Sequence, residues 1–418
     1  MNTFLSMHLP SISIGFGLGA TITVLPELSK DFGAGFWAAI WVFILQQAGT
    51  VVAPIPTGYL IDRFGRRGML LAGPFVIALS SLLIVRVVVM DGSFNEILFY
   101  RFIGGIGEQM WMLSRITVIA DTAGSQQRGK QITSMFGVQQ IGNLTGPIVG
   151  GATSVAFGIW VPFALHAVIV VLAVIPSFYL VKETLVRAPI RPGDVGKADA
   201  ARAKLTMADL RTPPIPQVFA AQFLANITRG GIFGGGVIVV YASYGFGLSE
   251  LEIGGLRSAM AFIGIPIMFG AGYVMDRYGR KYTIVPGLIF SGLSMVALAL
   301  VDWYTMPLEA FIVAFVMVHL AVSVISGNMQ TLNTDVAPAH ARGSFLGVSR
   351  LVAQVGSLAS PAGFGALKVV SFAAGFSLLG GTAFLAALVV FFGIPETLRK
   401  QERPANEDET KPTKPQAG

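Results

Sequence analysis

The chain has 418 residues, of which 53% are apolar and only 12% charged, and its mean hydropathy is +0.69. That balance excludes an ordinary soluble domain. The net charge of +7 would by itself suit a nucleic-acid partner, but the placement of the basic residues shows that it reports topology instead.

Twelve stretches are long and apolar enough to cross a bilayer as helices. They lie at 9–29, 37–61, 68–89, 95–119, 131–156, 159–181, 216–245, 253–275, 282–301, 307–332, 344–367 and 371–395. They are too long for barrel strands and lack strand alternation, so an all-α membrane protein is expected. Met1 to His8 carry no basic segment, and the first stretch is long enough to stay as a span rather than be cleaved as a signal. Residues 1–181 form the first bundle of six helices and 216–398 the second. Between them, 182–215 is a tether rich in Pro, Ala and basic residues that has room for one short surface helix. The tail at 399–418 has almost nothing to bury and is expected to be disordered.

Arg63, Arg66, Arg67, Arg128, Lys130, Arg277, Arg280, Lys281 and Arg342 fall in alternate short loops; the tether adds seven basic residues and the tail five. The opposite loops hold only Lys30 and Lys368, beside acids such as Asp91, Glu96, Glu250, Asp302 and Glu309. The positive-inside rule then puts both termini and the tether in the cytoplasm of a plasma or bacterial inner membrane. Cysteine is absent, so the chain has no disulfide framework.

The chain also repeats itself. Gly58-Tyr-Leu-Ile-Asp62-Arg63-Phe-Gly65-Arg66-Arg67 returns 214 residues later as Gly272-Tyr-Val-Met-Asp276-Arg277-Tyr-Gly279-Arg280-Lys281. Asp121, Arg128 and Gly129 map in the same way onto Asp335, Arg342 and Gly343, and Glu183-Thr184 returns as Glu396-Thr397. A displacement held over most of the chain means two similar units in tandem, the construction of a two-bundle rocking machine. Gly58 and Gly272 lie where helices are expected to approach closely, and Gly65 and Gly279 suit a turn needing φ > 0. An acid followed by clustered arginines makes an ion-pair network that exists in one conformer and breaks in the other.

The doubled G-x-x-x-D-R-x-G-R-[RK] loop resembles the signature of the major facilitator superfamily. This resemblance implies a fold of two six-helix bundles around a central cavity that opens alternately to either side. In that family the residue matching Asp62 contacts a neighbouring helix start and Arg66, favouring the outward-facing state, with Asp121 a further partner. Gly142-Asn-Leu-Thr-Gly146-Pro147-Ile-Val-Gly150-Gly151 is similar to an element of the family's proton-coupled exporters, although Thr133 stands where the fuller pattern has Gly. Leu25-Pro26-Glu27-Leu28 resembles the same branch. The glycines allow close packing, and Pro147 removes a backbone hydrogen bond and bends its helix.

Glu108 is the one acid of 22 that falls well inside a span. Arg101, Glu108 and Arg115 are seven apart, on one helical face with Gly104, Gly105 and Met112 nearby. Arg101-x-x-Gly-Gly-x-Gly107 is similar to a family motif whose Arg takes part in proton transfer, with Gly104 where the family has Gln. By the same resemblance, spans 1, 4, 7 and 10 line the cavity. Arg229 and His319 would then join Glu108 in one central cluster, with Asn226, Gln330 and Asn333 as further hydrogen-bonding groups. Glu108 would carry the proton, or else be fixed in an ion pair with an arginine. Phe102, Met110, Trp111, Met112, Phe233 and Tyr241 are candidates for an apolar lining. Arg86, Arg257, Arg350 and His166, on spans packed outside the cavity, are expected to be structural or to snorkel.

Three classes compete. A secondary transporter is favoured by the repeat, the topology and the intramembrane charges, as a proton-coupled exporter of a small organic solute or as an uptake permease for an organic anion. A transporter-like receptor would carry an extra cytoplasmic domain. A membrane enzyme would need clustered carboxylates or metal spacing in its spans, and neither is seen. No cofactor or metal is implied, the partners are the solute, protons and lipid, and a monomer suffices.

Overall fold

The computed structural model describes residues 4–122, 125–181, 183, 206–233, 236–325, 328–338 and 341–397. The side chains of Asp62, Asp121, Arg128, Thr133, Phe233 and Arg342 lie outside that description, as do most of the tether and the tail.

The elements are helices throughout: α1 (Leu9–Asp31), α2 (Gly35–Val52), α3 (Pro54–Phe64), α4 (Arg66–Val89), α5 (Phe94–Thr122), α6 (Ser125–Phe157) and α7 (Val161–Leu180) in the first half. The second half holds α8 (Met207–Arg211), α9 (Ile215–Phe233), α10 (Val237–Gly245), α11 (Glu250–Tyr278), α12 (Lys281–Trp303), α13 (Leu308–Ile325), α14 (Asn328–Val336), α15 (Arg342–Lys368) and α16 (Phe372–Gly393). Taking the pairs α2/α3, α9/α10 and α13/α14 as one span each, the described helices other than α8 make twelve candidate spans. Nine of them are long and apolar enough to cross a membrane. The other three are α5, which carries Arg101, Glu108 and Arg115, α15, which carries Arg350, and α6, which is rich in glycine and glutamine; this lowers their hydropathy without shortening them. The second span, expected as one helix, breaks at Ala53, because Pro54 has no N–H and its ring crowds the preceding turn. The short helix in the tether is α8, closed by a capping box in which Thr206 and Asp209 exchange side-chain and backbone hydrogen bonds.

The duplication is visible atom by atom. Gly65 and Gly279 take φ +93° and +126° with ψ near 160°, a region open essentially only to glycine. Immediately after each, the exposed N-terminus of the next helix receives a carboxylate from the end of its own bundle. Glu183 accepts from the backbone N–H groups of Arg66 and Arg67 at 3.0 and 3.1 Å; Glu396 accepts from those of Arg280 and Lys281 at 2.9 and 3.0 Å. Arg67 then donates to the carbonyl of Phe178, and Lys281 to that of Phe391. Each carboxylate satisfies two donors that a helix start leaves open and meets the positive end of its dipole.

Small residues set the helix packing. A Cβ at Gly142, Gly146 or Gly150 of α6 would strike the backbone of α1, and one at Gly15 would strike α6 in return. Gly151 faces the opposite way, against the backbone of Glu250 in α11, where Gly254 meets the carbonyl of Pro147. The one motif therefore seals two seams, one inside the first bundle and one between bundles. α6 runs unbroken through Pro147.

Among the described residues the bundles meet at one end and as deep as mid-span, and not at the other end. Away from the Gly65 and Gly279 turns, a single apolar cluster joins Val24, Phe43, Tyr241, Phe315, Phe364 and Phe376 from both halves. Phe36 lies edge-on to Tyr244 and Phe372 at 5.8 and 5.3 Å, and the Lys368 ammonium sits 4.8 Å from the rings of both Phe36 and Phe372. Lys30 donates to the carbonyl of Ser243 at 3.2 Å. At the basic end the core divides into separate clusters, one in the first bundle and two in the second. A Cβ at Gly58, Gly137, Gly272 or Gly347 would meet nothing within 4 Å, and Tyr59 and Tyr273 are exposed. The close approach expected at Gly58 and Gly272 is not made among the described residues. Among the described residues the molecule is closed at the far end and open at the basic end.

Candidate functional site

Glu108 lies halfway along α5, and its carboxylate accepts from the Gln46 amide of α2 at 3.2 Å. Gly105 lets the two helices touch there, since a Cβ would strike the backbone of Gln46. Among the described residues no Lys or Arg comes within ion-pair distance of this carboxylate; Arg101 and Arg350 are the charges that act on it from further away. Next to Glu108, Gln109 accepts from the Gln354 amide of α15 at 2.9 Å, a neutral hydrogen bond between the bundles.

Arg101 and Arg115 flank Glu108 on α5 and are both buried. Nε and Nη2 of Arg101 make no hydrogen bond. Arg115 is fully enclosed: its guanidinium lies 3.7 Å above the Trp111 ring and donates to Ser11 and to the Met112 sulfur. Trp111 and Met112 belong to the core of the first bundle and line neither of the two clefts that follow.

Glu108, Arg229 and His319 share neither of the two clefts that follow. Arg229 and Asn226 line a cleft inside the second bundle with Gln222, Ser291 and Gln330, framed by α9, α12, α13 and α14. His319 lines a different one, between the bundles, where Gln140 and Asn143 of α6 face Arg257, Met260 and Met268 of α11. Nδ1 of His319 lies 2.9 Å from the Phe315 carbonyl. A carbonyl can only accept, so Nδ1 carries the hydrogen and Nε2 holds the lone pair. Asn143 donates to the Gln140 carbonyl at 2.5 Å, which fixes the Gln140 amide and leaves its NH₂ available. The cleft lies just inside the far-end seal, where the Ile148 N–H donates to Ser258 at 3.2 Å and Ser154 donates to Glu250 at 3.2 Å.

Arg257 and Arg350 were expected to be structural or to snorkel. The structure turns Arg257 into the inter-bundle cleft and puts Arg350 on the side of α15 that acts on Glu108. Both lie on spans that the family resemblance puts outside the cavity, and Gln46, Gln140 and Gln354 escape notice for the same reason, since they belong to spans 2, 5 and 11. The available signal was a polar residue in mid-span. His166 is structural, as expected: it approaches Ser81 at 3.3 Å and packs against Gly17. Arg86 pairs with Glu96 near the far end.

In the second repeated loop, Arg280 bridges Asp276 at 2.7 Å and Asp335 at 3.0 Å, and Thr397 donates to Asp335. Burial pulls the Arg280 guanidinium down, but its hydrogen bonds and charge pairing with Asp335 and Asp276 outweigh this and raise it. Arg63 and Arg277 each donate to the tyrosine one turn before, Tyr59 and Tyr273. The corresponding contacts of Asp62 and Asp121 lie outside the described side chains.

A family model described as Major Facilitator Superfamily matches residues 9–361 and, in a second placement, 218–417. "Multidrug resistance protein 2" of Bacillus subtilis is 27% identical over 187 residues, 44% of this chain and 45% of that protein, so the match spans less than half of that relative. "Tetracycline resistance protein, class B" of Escherichia coli is 25% identical over 312 residues, covering 70% and 71%. The "4-hydroxybenzoate transporter PcaK" of Pseudomonas aeruginosa is 24% identical over 304 residues, covering 65% of each. Of solved structures, a D-xylose-proton symporter matches with a TM-score of 0.76 at 19% identity, over 94% of this chain and 97% of the other. A bacterial homologue of the iron transporter ferroportin, in an inward-facing state, matches with a TM-score of 0.70 at 15% identity, over 94% and 98%. At these identities the structures speak to the fold alone.

Proposed function

The chain belongs to the Major Facilitator Superfamily, and from that premise we propose that it exports a small organic solute in exchange for protons by alternating access. It is a multi-pass membrane transporter and not an enzyme. With the basic loops in the cytoplasm of a bacterial inner membrane, the open end faces inward, ready to load a solute for export. Both termini then lie in the cytoplasm, and a monomer without cofactor completes the cycle. Relatives named for multidrug and tetracycline resistance favour the outward direction.

The observation that carries proton coupling is the setting of Glu108. A charge at mid-membrane costs about 2.5–3.5 kcal/mol, so a carboxylate there is usually neutralised by a partner. Glu108 is held by a neutral amide at 3.2 Å and by no basic residue at ion-pair distance among those described. A carboxyl so placed takes up and loses a proton without breaking a salt bridge. The carrier role follows: protonated Glu108 lets the bundles rock, and its ionised form holds them until a proton returns.

The test is proton flux in inverted vesicles with an acid-inside gradient. A panel of lipophilic drugs and small organic anions is added to the intact chain and to Glu108→Gln. A solute that discharges the gradient through the intact chain, with discharge lost in a Glu108→Gln protein that still inserts, is the expected result. Unchanged discharge in Glu108→Gln would remove Glu108 from the coupling. A second reading, uptake of an organic anion, is favoured by the relative named for 4-hydroxybenzoate. Labelled anion accumulation in intact cells without vesicle discharge would establish it over export.

A further inference from the structure

The inter-bundle cleft contains a cation without an anion. Arg257 projects into it from α11, makes no hydrogen bond or ion pair among the described residues, and has a buried, unsatisfied Nε. Among the described residues no acidic side chain lines the cleft. A guanidinium withdrawn from water is costly unless an opposite charge completes it, and its planar fork fits a carboxylate with two parallel hydrogen bonds. Around it stand the free amide NH₂ of Gln140, the bare Nε2 of His319 and the soft apolar side chains of Met260 and Met268.

We infer that this cleft is the solute site and that it selects organic carboxylates with an apolar body, held at the carboxylate by Arg257. The inference rests on the transport reading but not on its direction. Such a solute would be gripped from both bundles, by Gln140 of the first and by Arg257 of the second. The grip lies just inside the seam that Ile148 and Ser258 close. Solute charge would therefore replace the missing counter-ion at the surface along which the bundles move. His319 Nε2 accepts a hydrogen bond from a solute hydroxyl or amine.

The test uses the purified full chain in lipid nanodiscs at a fixed pH. Thermal unfolding is followed with acetate, benzoate and 1-naphthoate, with their neutral amides, and with benzylammonium. At least one carboxylate should raise Tm saturably, while its amide and the ammonium do not. Arg257→Gln should weaken that apparent affinity about 10- to 100-fold, the loss expected for a charge-assisted hydrogen bond, and Arg257→Lys should fall between. The ligand-free Tm of Arg257→Gln should not drop, because no internal bond is lost; a drop would mark a structural role instead. The inference is overturned if no carboxylate shifts Tm, if the amides act equally, or if Arg257→Gln binds as the intact chain does. Proteoliposome exchange with ethidium and with labelled benzoate separates the two readings. Ethidium exchange without carboxylate binding would sink the carboxylate site and leave transport standing. Carboxylate binding without exchange of any solute would leave the site and sink transport.

Discussion

Glu183 and Glu396 show how much one side chain can hold when it meets a helix start. Each closes two backbone donors and stands against a glycine whose Cβ would strike its carboxylate. Glu183→Gln and Glu396→Gln should each cost about 0.5–1 kcal/mol, reduced by their exposure, as a small fall in Tm. Gly65→Ala should cost more, about 1–3 kcal/mol, because it forces alanine into a glycine-only region and also displaces the carboxylate. A Gly65→Ala protein as stable as Glu183→Gln would refute that ordering. The equivalence of the two glutamates was legible as a displacement of 213 residues, but their partner was not. The N–H groups they cap belong to residues over a hundred positions away, and nothing in a linear sequence marks a backbone donor as open. Glu108 was legible for the opposite reason: a lone acid in an apolar run has no neutral explanation, while its partner Gln46 looks like any other glutamine.

Glycine spacing announced that α6 packs tightly, and the structure assigns the work between neighbours. Gly142, Gly146 and Gly150 admit α1; Gly151, one residue on, admits α11. Spacing fixes a face of a helix and not the identity of what faces it, which is why the inter-bundle seam at Gly151 and Gly254 was invisible beforehand. The same limit hid Arg257, whose span was read as peripheral while the residue itself points inward. Gly146→Val should prevent α1 and α6 from closing and leave little monodisperse protein in size-exclusion chromatography. Gly137→Val on the same helix, with open space around it, should yield normal amounts. Equal yields would mean that α6 does not depend on its glycine seam.

One end shut and the other apart is a single frame of a moving machine. Because the chain has no native cysteine, pairs can be introduced without a background. Trp37→Cys with Gly365→Cys, at the closed end where the Trp37 ring packs on Gly365, should cross-link readily with a short bis-maleimide. Tyr59→Cys with Gly347→Cys, at the open end, should stay accessible to single maleimides and cross-link only when the bundles rock closed. The reverse pattern would mean that another state dominates in the membrane. The shut end has one further property. Its rings, its lysine over two phenylalanines and its lysine on a carbonyl include, among the described residues, no acid and base facing each other across the bundles. Dissolved electrolyte weakens opposite charges in contact with water far more than it weakens apolar faces. A cell moved from dilute medium into brine would therefore find this door as hard to open as before.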